Sequence, residues 1–135
     1  MKCAALLFLL GLLSFPVMAT DLPSRIEIKY AVTTDIGEGE IDEVMEIKHV
    51  DGKAHYSINS EAQATGMYKL IEPNSIMRHS EGFITKYGLR PMRAYEKRGK
   101  KQPSVAEFDW NNHIITLNHQ GHHAKEKLPD GTLDR

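Results

Sequence analysis

Four histidines fall close together late in this 135-residue chain, at His113, His119, His122 and His123. Three imidazoles near one another could ligate zinc, with an acid such as Asp109 completing the shell. Their spacing argues otherwise. His122 and His123 are adjacent, so on a strand they point to opposite faces. His113 and His119 share a face but lie about 20 Å apart along an extended strand. The pattern matches no zinc motif, and we read these residues as solvent-exposed loop histidines.

Nucleophilic chemistry fares no better. Ser24, Ser57, Ser60, Ser75, Ser80 and Ser104 are the serines outside the N-terminal apolar run, and none lies in a Gly-x-Ser-x-Gly elbow. Ser80-Glu81-Gly82 reads as a turn. Glu107 and Asp109 share a strand face about 7 Å apart, but acids two residues apart on an exposed face are ordinarily just solvated. A hydrolytic pair must instead be held across a cleft. Gly37-Glu38-Gly39 lacks the strand–helix setting and the basic residue of a phosphate cradle, and reads as a turn. No catalytic, cofactor-binding or metal residue is assigned.

The first nineteen residues carry the clearest instruction. Lys2 supplies a positive start, Cys3 to Phe15 an apolar run, and Val17-Met18-Ala19 the small residues of a cleavage site. The run is too short to span a bilayer comfortably. Residues 1–19 are therefore read as a signal peptide, cleaved before Thr20. Cys3 sits at the start of the run, whereas a lipid-modified cysteine would follow its end. The expected product is periplasmic, soluble and free of lipid.

Removal of the signal leaves residues 20–135 as a single β-rich domain, long enough to bury roughly 65% of its unfolded surface. Cys3 is the sole cysteine, so the mature chain has neither a disulfide framework nor a thiol nucleophile. The whole chain has a formal net charge of −1, which argues against general nucleic-acid binding. The charge is unevenly spread, with ten acids and four bases from Asp21 to Ala64 but three acids and nine bases from Lys69 to Pro103. We expect these segments to pair as neighbouring strands whose solvent faces attract. A basic face for an anionic headgroup or glycan is the sharper alternative.

The elements that must position any site repeat with period two. Ile26, Ile28, Tyr30 and Val32 alternate with polar residues as a half-buried strand. Ile41 to Val50 is a second strand, and Asp51-Gly52 supplies the left-handed turn of a hairpin. The return runs from about Ala54 to Ala64, with Ala54, Tyr56, Ile58, Ser60 and Ala62 inward. Met67 to Ile71 is too short to separate helix from strand. Ser75 to Ile84 reads as a strand with Ile76 packed, joined by His79 or Phe83. Met92 to Arg98 is another, set off by a break at Gly88-Leu89-Arg90-Pro91. Val105 to Trp110 and His113 to His119 follow, joined by Asn111-Asn112, both tolerant of positive φ. Lys125 to Leu128 starts a further strand. Phe108 and Trp110 share a face, which is expected to be core, with Asp109 pointing outward or bonding a neighbouring turn.

The pattern predicts a mainly β fold: an antiparallel meander of about seven strands forming a curved sheet, half-barrel or partial barrel. Its inward set is rich in Ile, Met, Tyr, Phe and Leu, and the methionines offer an adaptable lining.

Three stretches are more specific. Ser80-Glu81-Gly82-Phe83 precedes Gly88-Leu89-Arg90-Pro91, Tyr95-Glu96-Lys97-Arg98 leads to Phe108-Asp109-Trp110, and Leu128-Pro129-Asp130-Gly131-Thr132-Leu133-Asp134-Arg135 closes the chain. In this order and spacing, from about Ile26 onward, the chain resembles the bacterial envelope proteins grouped as domain-of-unknown-function family 3108. The resemblance implies an exported β-rich domain, and it brings no catalytic residues. Members of that family continue past the Asp-Arg turn with further strands. The expectation is therefore that this chain lacks the C-terminal strands, and that it self-associates or meets an envelope partner through its C-terminal edge. Ile114-Ile115-Thr116-Leu117 is the β-prone, uncharged run that would do so.

Together these readings describe a non-enzymatic periplasmic envelope protein that shelters an apolar or amphiphilic ligand, such as a lipid, on a curved sheet. The alternative is a structural or interaction protein with a filled core, docking a partner by its open edge or basic face. An exported hydrolase ranks third.

Overall fold

The Asp51-Gly52 hairpin organises the sheet. Both residues take positive φ, 50° and 74°, and the turn joins β2 (Gly37–Val50) to β3 (Lys53–Thr65). With the turn set, register follows by counting: Ile47 faces Tyr56, Met45 faces Ile58 and Glu43 faces Ser60. The computed structural model describes residues 23–134. The signal peptide over 1–19, its cleavage before Thr20 and the closing Arg135 lie outside the described residues.

The remaining strands are β1 (Arg25–Thr34), β4 (Ile76–Thr85), β5 (Gly88–Arg98), β6 (Ser104–Asp109), β7 (Ile114–His119) and β8 (His122–Lys127). All eight form one antiparallel sheet in sequence order. Among the described residues the sheet is open, with β1 and β8 as its edges. Met67 and its neighbours form a single 3₁₀ turn over Gly66–Leu70. Among the described residues, no helix is long and apolar enough to cross a membrane.

Several elements differ from expectation. The first strand is exposed rather than half-buried: Ile28, Tyr30 and Val32 keep 39%, 43% and 36% of their surface, because among the described residues β1 has a neighbour on one side only and no second layer covers it. Gly37-Glu38-Gly39 is the start of β2, not a turn. There the Tyr68 ring lies against Gly37, where a Cβ would collide with it. Ser80-Glu81-Gly82 is mid-strand in β4. Between β6 and β7 the positive φ belongs to His113, at 55°, and not to Asn111 or Asn112. A second tight turn at Gln120-Gly121, φ 51° and 84°, adds the eighth strand. The Ile114–Leu117 run is consequently not an edge. It pairs with β6 on one side and β8 on the other, and among the described residues the last strand of the sheet is the charged, exposed His-His-Ala-Lys-Glu-Lys of β8.

The predicted break at Gly88–Pro91 lies inside β5. Proline lacks an N–H and is tolerated in a sheet mainly at an edge or bulge, and here a bulge accommodates it. Gly82 faces Pro91 while Glu81 faces Arg93, so Met92 is the extra residue. A Cβ at Gly82 would run into the Arg90 carbonyl oxygen, which accounts for glycine at that place. One inserted residue reverses which side chains face inward. Leu89 and Pro91 share the face of Tyr56 before the bulge, and Ala94, Glu96 and Arg98 share it afterwards.

The core sits at one end of this face. Ile47, Tyr56, Gly82 and Pro91 form a buried row across β2 to β5. Leu128, 1% exposed, packs in from the segment that follows β8, with its N–H donated to the His113 carbonyl at 2.8 Å.

Candidate functional site

Beyond that core the same face divides into transverse rows, each made by residues directly opposite in register. The first is Met45, Ile58, Ser80, Ala94, Ala106, Leu117 and Ala124, apolar but for one hydroxyl. The second is Glu43, Ser60, Arg78, Glu96 and Ser104. Ser104 extends it by sharing a 2.6 Å hydrogen bond with His119 Nδ1. The third returns to apolar residues with Ile41, Ala62 and Ile76, ending at Arg98. A polar belt therefore crosses a largely apolar face.

The face is hollow. One cavity of about 760 Å³ is lined by residues from β2 to β7, including Glu43, Ile58, Ala94, Leu117 and Asp134. In a flat sheet β2 and β7 would stand about 24 Å apart, so the sheet curls around this space. A neighbouring hollow of about 450 Å³ is lined by Val32, Ile41, Ala64, Tyr68, Ile76 and Arg98.

Between the two hollows stands an ionic trio. Glu96 accepts from Arg78 Nε on one carboxylate oxygen and from Arg98 Nε on the other, each at 2.8 Å. The two guanidinium groups, Arg98 first, hold the Glu96 carboxyl below its ordinary range.

The far wall is the C-terminal turn. Asp134 donates its N–H to the Leu89 carbonyl at 2.8 Å. Its carboxylate oxygen Oδ2 accepts from the Tyr56 hydroxyl at 2.7 Å and also from the Ser80 hydroxyl. Burial, reinforced by the Asp134 carboxylate, raises the Tyr56 phenol well above its usual pKa, and Ser80 opposes this. Residues from all three specific stretches of the sequence thus meet: Ser80 and Gly82 with Leu89 and Pro91, Leu128 and Asp134 from the tail, and Trp110 through its indole. Trp110 Nε1 donates to the Pro91 carbonyl at 2.7 Å, and its ring stacks on Phe108 with centroids 6.3 Å apart. Arg90 covers the Trp110 ring at 4.1 Å. Both rings are half-buried rather than fully core.

The other sequence candidates are scattered. His113 pairs with Asp130 at 3.2 Å, His119 belongs to the polar belt, and His122 and His123 are exposed on β8. Among the described residues no group of three or more His, Cys, Asp or Glu could hold a metal ion. Glu107 faces Arg93 at 3.9 Å on the outer face. Asp109 accepts from Asn111 and Asn112, which lower its carboxyl pKa, Asn112 most. His79 and Phe83 also lie on the outer face, against Asn59 and His55. The acidic and basic segments do neighbour one another as β3 and β4, yet among the described residues no ion pair joins them. Their pairs form within each segment, as Lys29–Asp42 and Arg78–Glu96 do.

Sequence reasoning passed over Arg78, Glu96, Arg98 and Asp134 as site residues. Glu43 and Ser60 could have been placed opposite each other from the Asp51-Gly52 turn. Arg78 and Glu96 could not, because the bulge intervenes.

A family model described as a protein of unknown function, DUF3108, matches residues 25–135. No curated protein and no solved structure matches the chain.

Proposed function

The chain belongs to the DUF3108 family, and on that footing we propose that it is an exported, non-enzymatic binding protein that holds an amphiphilic ligand on the inner face of its curled sheet. One observation carries the reading: beyond the buried Ile47–Tyr56–Gly82–Pro91 row, apolar rows flank a polar belt on a single hollow face. An acyl chain laid along Ile58, Ala94, Ala106 and Leu117 would leave water, while a headgroup would meet Arg78, Glu96 and Ser104. Removing apolar area from water contributes about 25 cal/mol per Å², ample for a chain of ordinary length. The signal-like N-terminus supports export to the periplasm, where such a carrier would meet lipids.

Native mass spectrometry of the chain purified from a bacterial periplasm is the test. A co-purifying lipid is the expected result. A protein that carries no adduct and fails to bind an added fluorescent fatty acid would sink the proposal.

A second reading draws on the exposed Ile28, Tyr30 and Val32 of β1. An edge strand with an apolar face accepts another chain, which fits an interaction protein of the envelope. Sedimentation separates the two, since the docking reading needs association that a Tyr30→Lys change abolishes.

A further inference from the structure

We infer that the Arg78–Glu96–Arg98 trio is the headgroup site, and that the ligand is an anionic lipid bearing a phosphate ester. This rests on the amphiphile reading above and specifies its chemistry. Glu96 uses only Nε of each arginine, so the terminal nitrogens of both guanidinium groups have no protein partner among the described residues. The arginines are oriented but not consumed. A planar guanidinium recognises phosphate oxygens through two parallel N–H donors, and two such groups fixed on one carboxylate form a clamp of net charge +1.

Position completes the argument. The trio divides the two hollows, so a headgroup seated there has apolar wall on either side: Ile58 and Leu117 one way, Ile41 and Ile76 the other. Both arginine side chains keep 55% of their surface exposed and Glu96 keeps 31%, so an incoming anion reaches them without displacing protein. Glu38, Glu40, Glu43 and Glu72, which also line the hollows, keep their charge, but among the described residues none of them pairs with either arginine. Glu40 accepts from Gln63 and Glu72 from Asn74, and Glu43 stands two strands, roughly 10 Å, from Arg78. The bulge at Met92 puts Glu96 and Arg98 on this face at all, so the clamp is a consequence of Pro91.

Titrations with dodecyl phosphate, dodecyl maltoside and inorganic phosphate, followed by intrinsic fluorescence or calorimetry, test the inference. The intact chain should bind dodecyl phosphate about tenfold or more tightly than dodecyl maltoside, the worth of one or two charge-assisted hydrogen bonds. In Arg78→Gln and Arg98→Gln that preference should vanish while dodecyl maltoside binding is kept, which also shows that the variants are folded. Arg93→Gln removes the same charge from the outer face and should leave the preference intact. Equal affinity for both detergents would overturn the headgroup site but not the amphiphile reading. Binding neither would overturn both. Inorganic phosphate binding as tightly as dodecyl phosphate would make the ligand a free anion and overturn the lipid assignment.

Discussion

The Tyr56 hydroxyl and the Asp134 carboxylate, seventy-eight residues apart, meet at 2.7 Å beneath the sheet. Tyr56 is 2% exposed, so its hydroxyl depends on this partner for a hydrogen bond. Ser80 donates to the same oxygen, and the three side chains tie the C-terminal turn to β3 and β4. Asp134→Ala should lower stability by about 1–3 kcal/mol, the cost of a buried donor left without an acceptor. Tyr56→Phe should cost less, and combining it with Asp134→Ala should add little, since the two share one interaction. Thermal melts of the three variants measure this. Additive losses would show that the pair is not coupled.

Alkaline pH should attack the same contact. The folded Tyr56 phenol titrates above its unfolded value. Its contribution to stability is therefore complete below about pH 10, the ordinary tyrosine value, and is lost as pH rises from there towards the folded pKa. Urea midpoints at pH 8, 10 and 11 should fall more steeply for the native chain than for Tyr56→Phe. Identical slopes would contradict the assignment.

Gly82→Ala places a methyl group against the Arg90 carbonyl oxygen, where backbone cannot yield cheaply. The variant should be strongly destabilised or fail to accumulate as a folded species. Gly52→Ala, where a Cβ meets nothing within 4 Å, should lose only the cost of its left-handed φ, about 1 kcal/mol. Far-UV dichroism with denaturant titration distinguishes the two. An unperturbed Gly82→Ala would disprove the close approach at the bulge.

Trp110→Phe should retain the stack on Phe108 but leave the Pro91 carbonyl without its indole donor, at a cost of about 1 kcal/mol. Trp110→Ala loses the ring as well and should approach the lower end of the 3–5 kcal/mol range of aromatic truncations, about 3 kcal/mol. Chemical denaturation reports both values. A Trp110→Ala protein with an unchanged midpoint would make Trp110 a surface residue and a binding candidate.

Export is checked at the N-terminus. Small residues at Val17 and Ala19 predict that the secreted protein begins at Thr20 and carries no acyl chain. N-terminal sequencing from periplasmic extract should show Thr20, and an intact Met1 or an acylated Cys3 would refute this.

Local chemistry determined much of this fold in advance. Period-two alternation marks β1 to β3 because a strand's side chains face opposite ways at each step, and Asp51-Gly52 sets the β2–β3 register because those residues accept positive φ. The inward set of β3, from Ala54 to Ala62, follows from the same counting. Tertiary structure decided the rest. The burial of β1 could not be read from its alternation, since alternation shows which residues share a face and not whether anything covers it. The inward turn of Glu96 and Arg98 depends on one extra residue at Met92, and β5 looks continuous or broken according to how Gly82 and Pro91 approach one another across strands. Asp134 meets Tyr56 and Ser80 only after the whole sheet has curled. No local pattern marks such a pair, because a contact between residues far apart in sequence is set by the path of the chain between them.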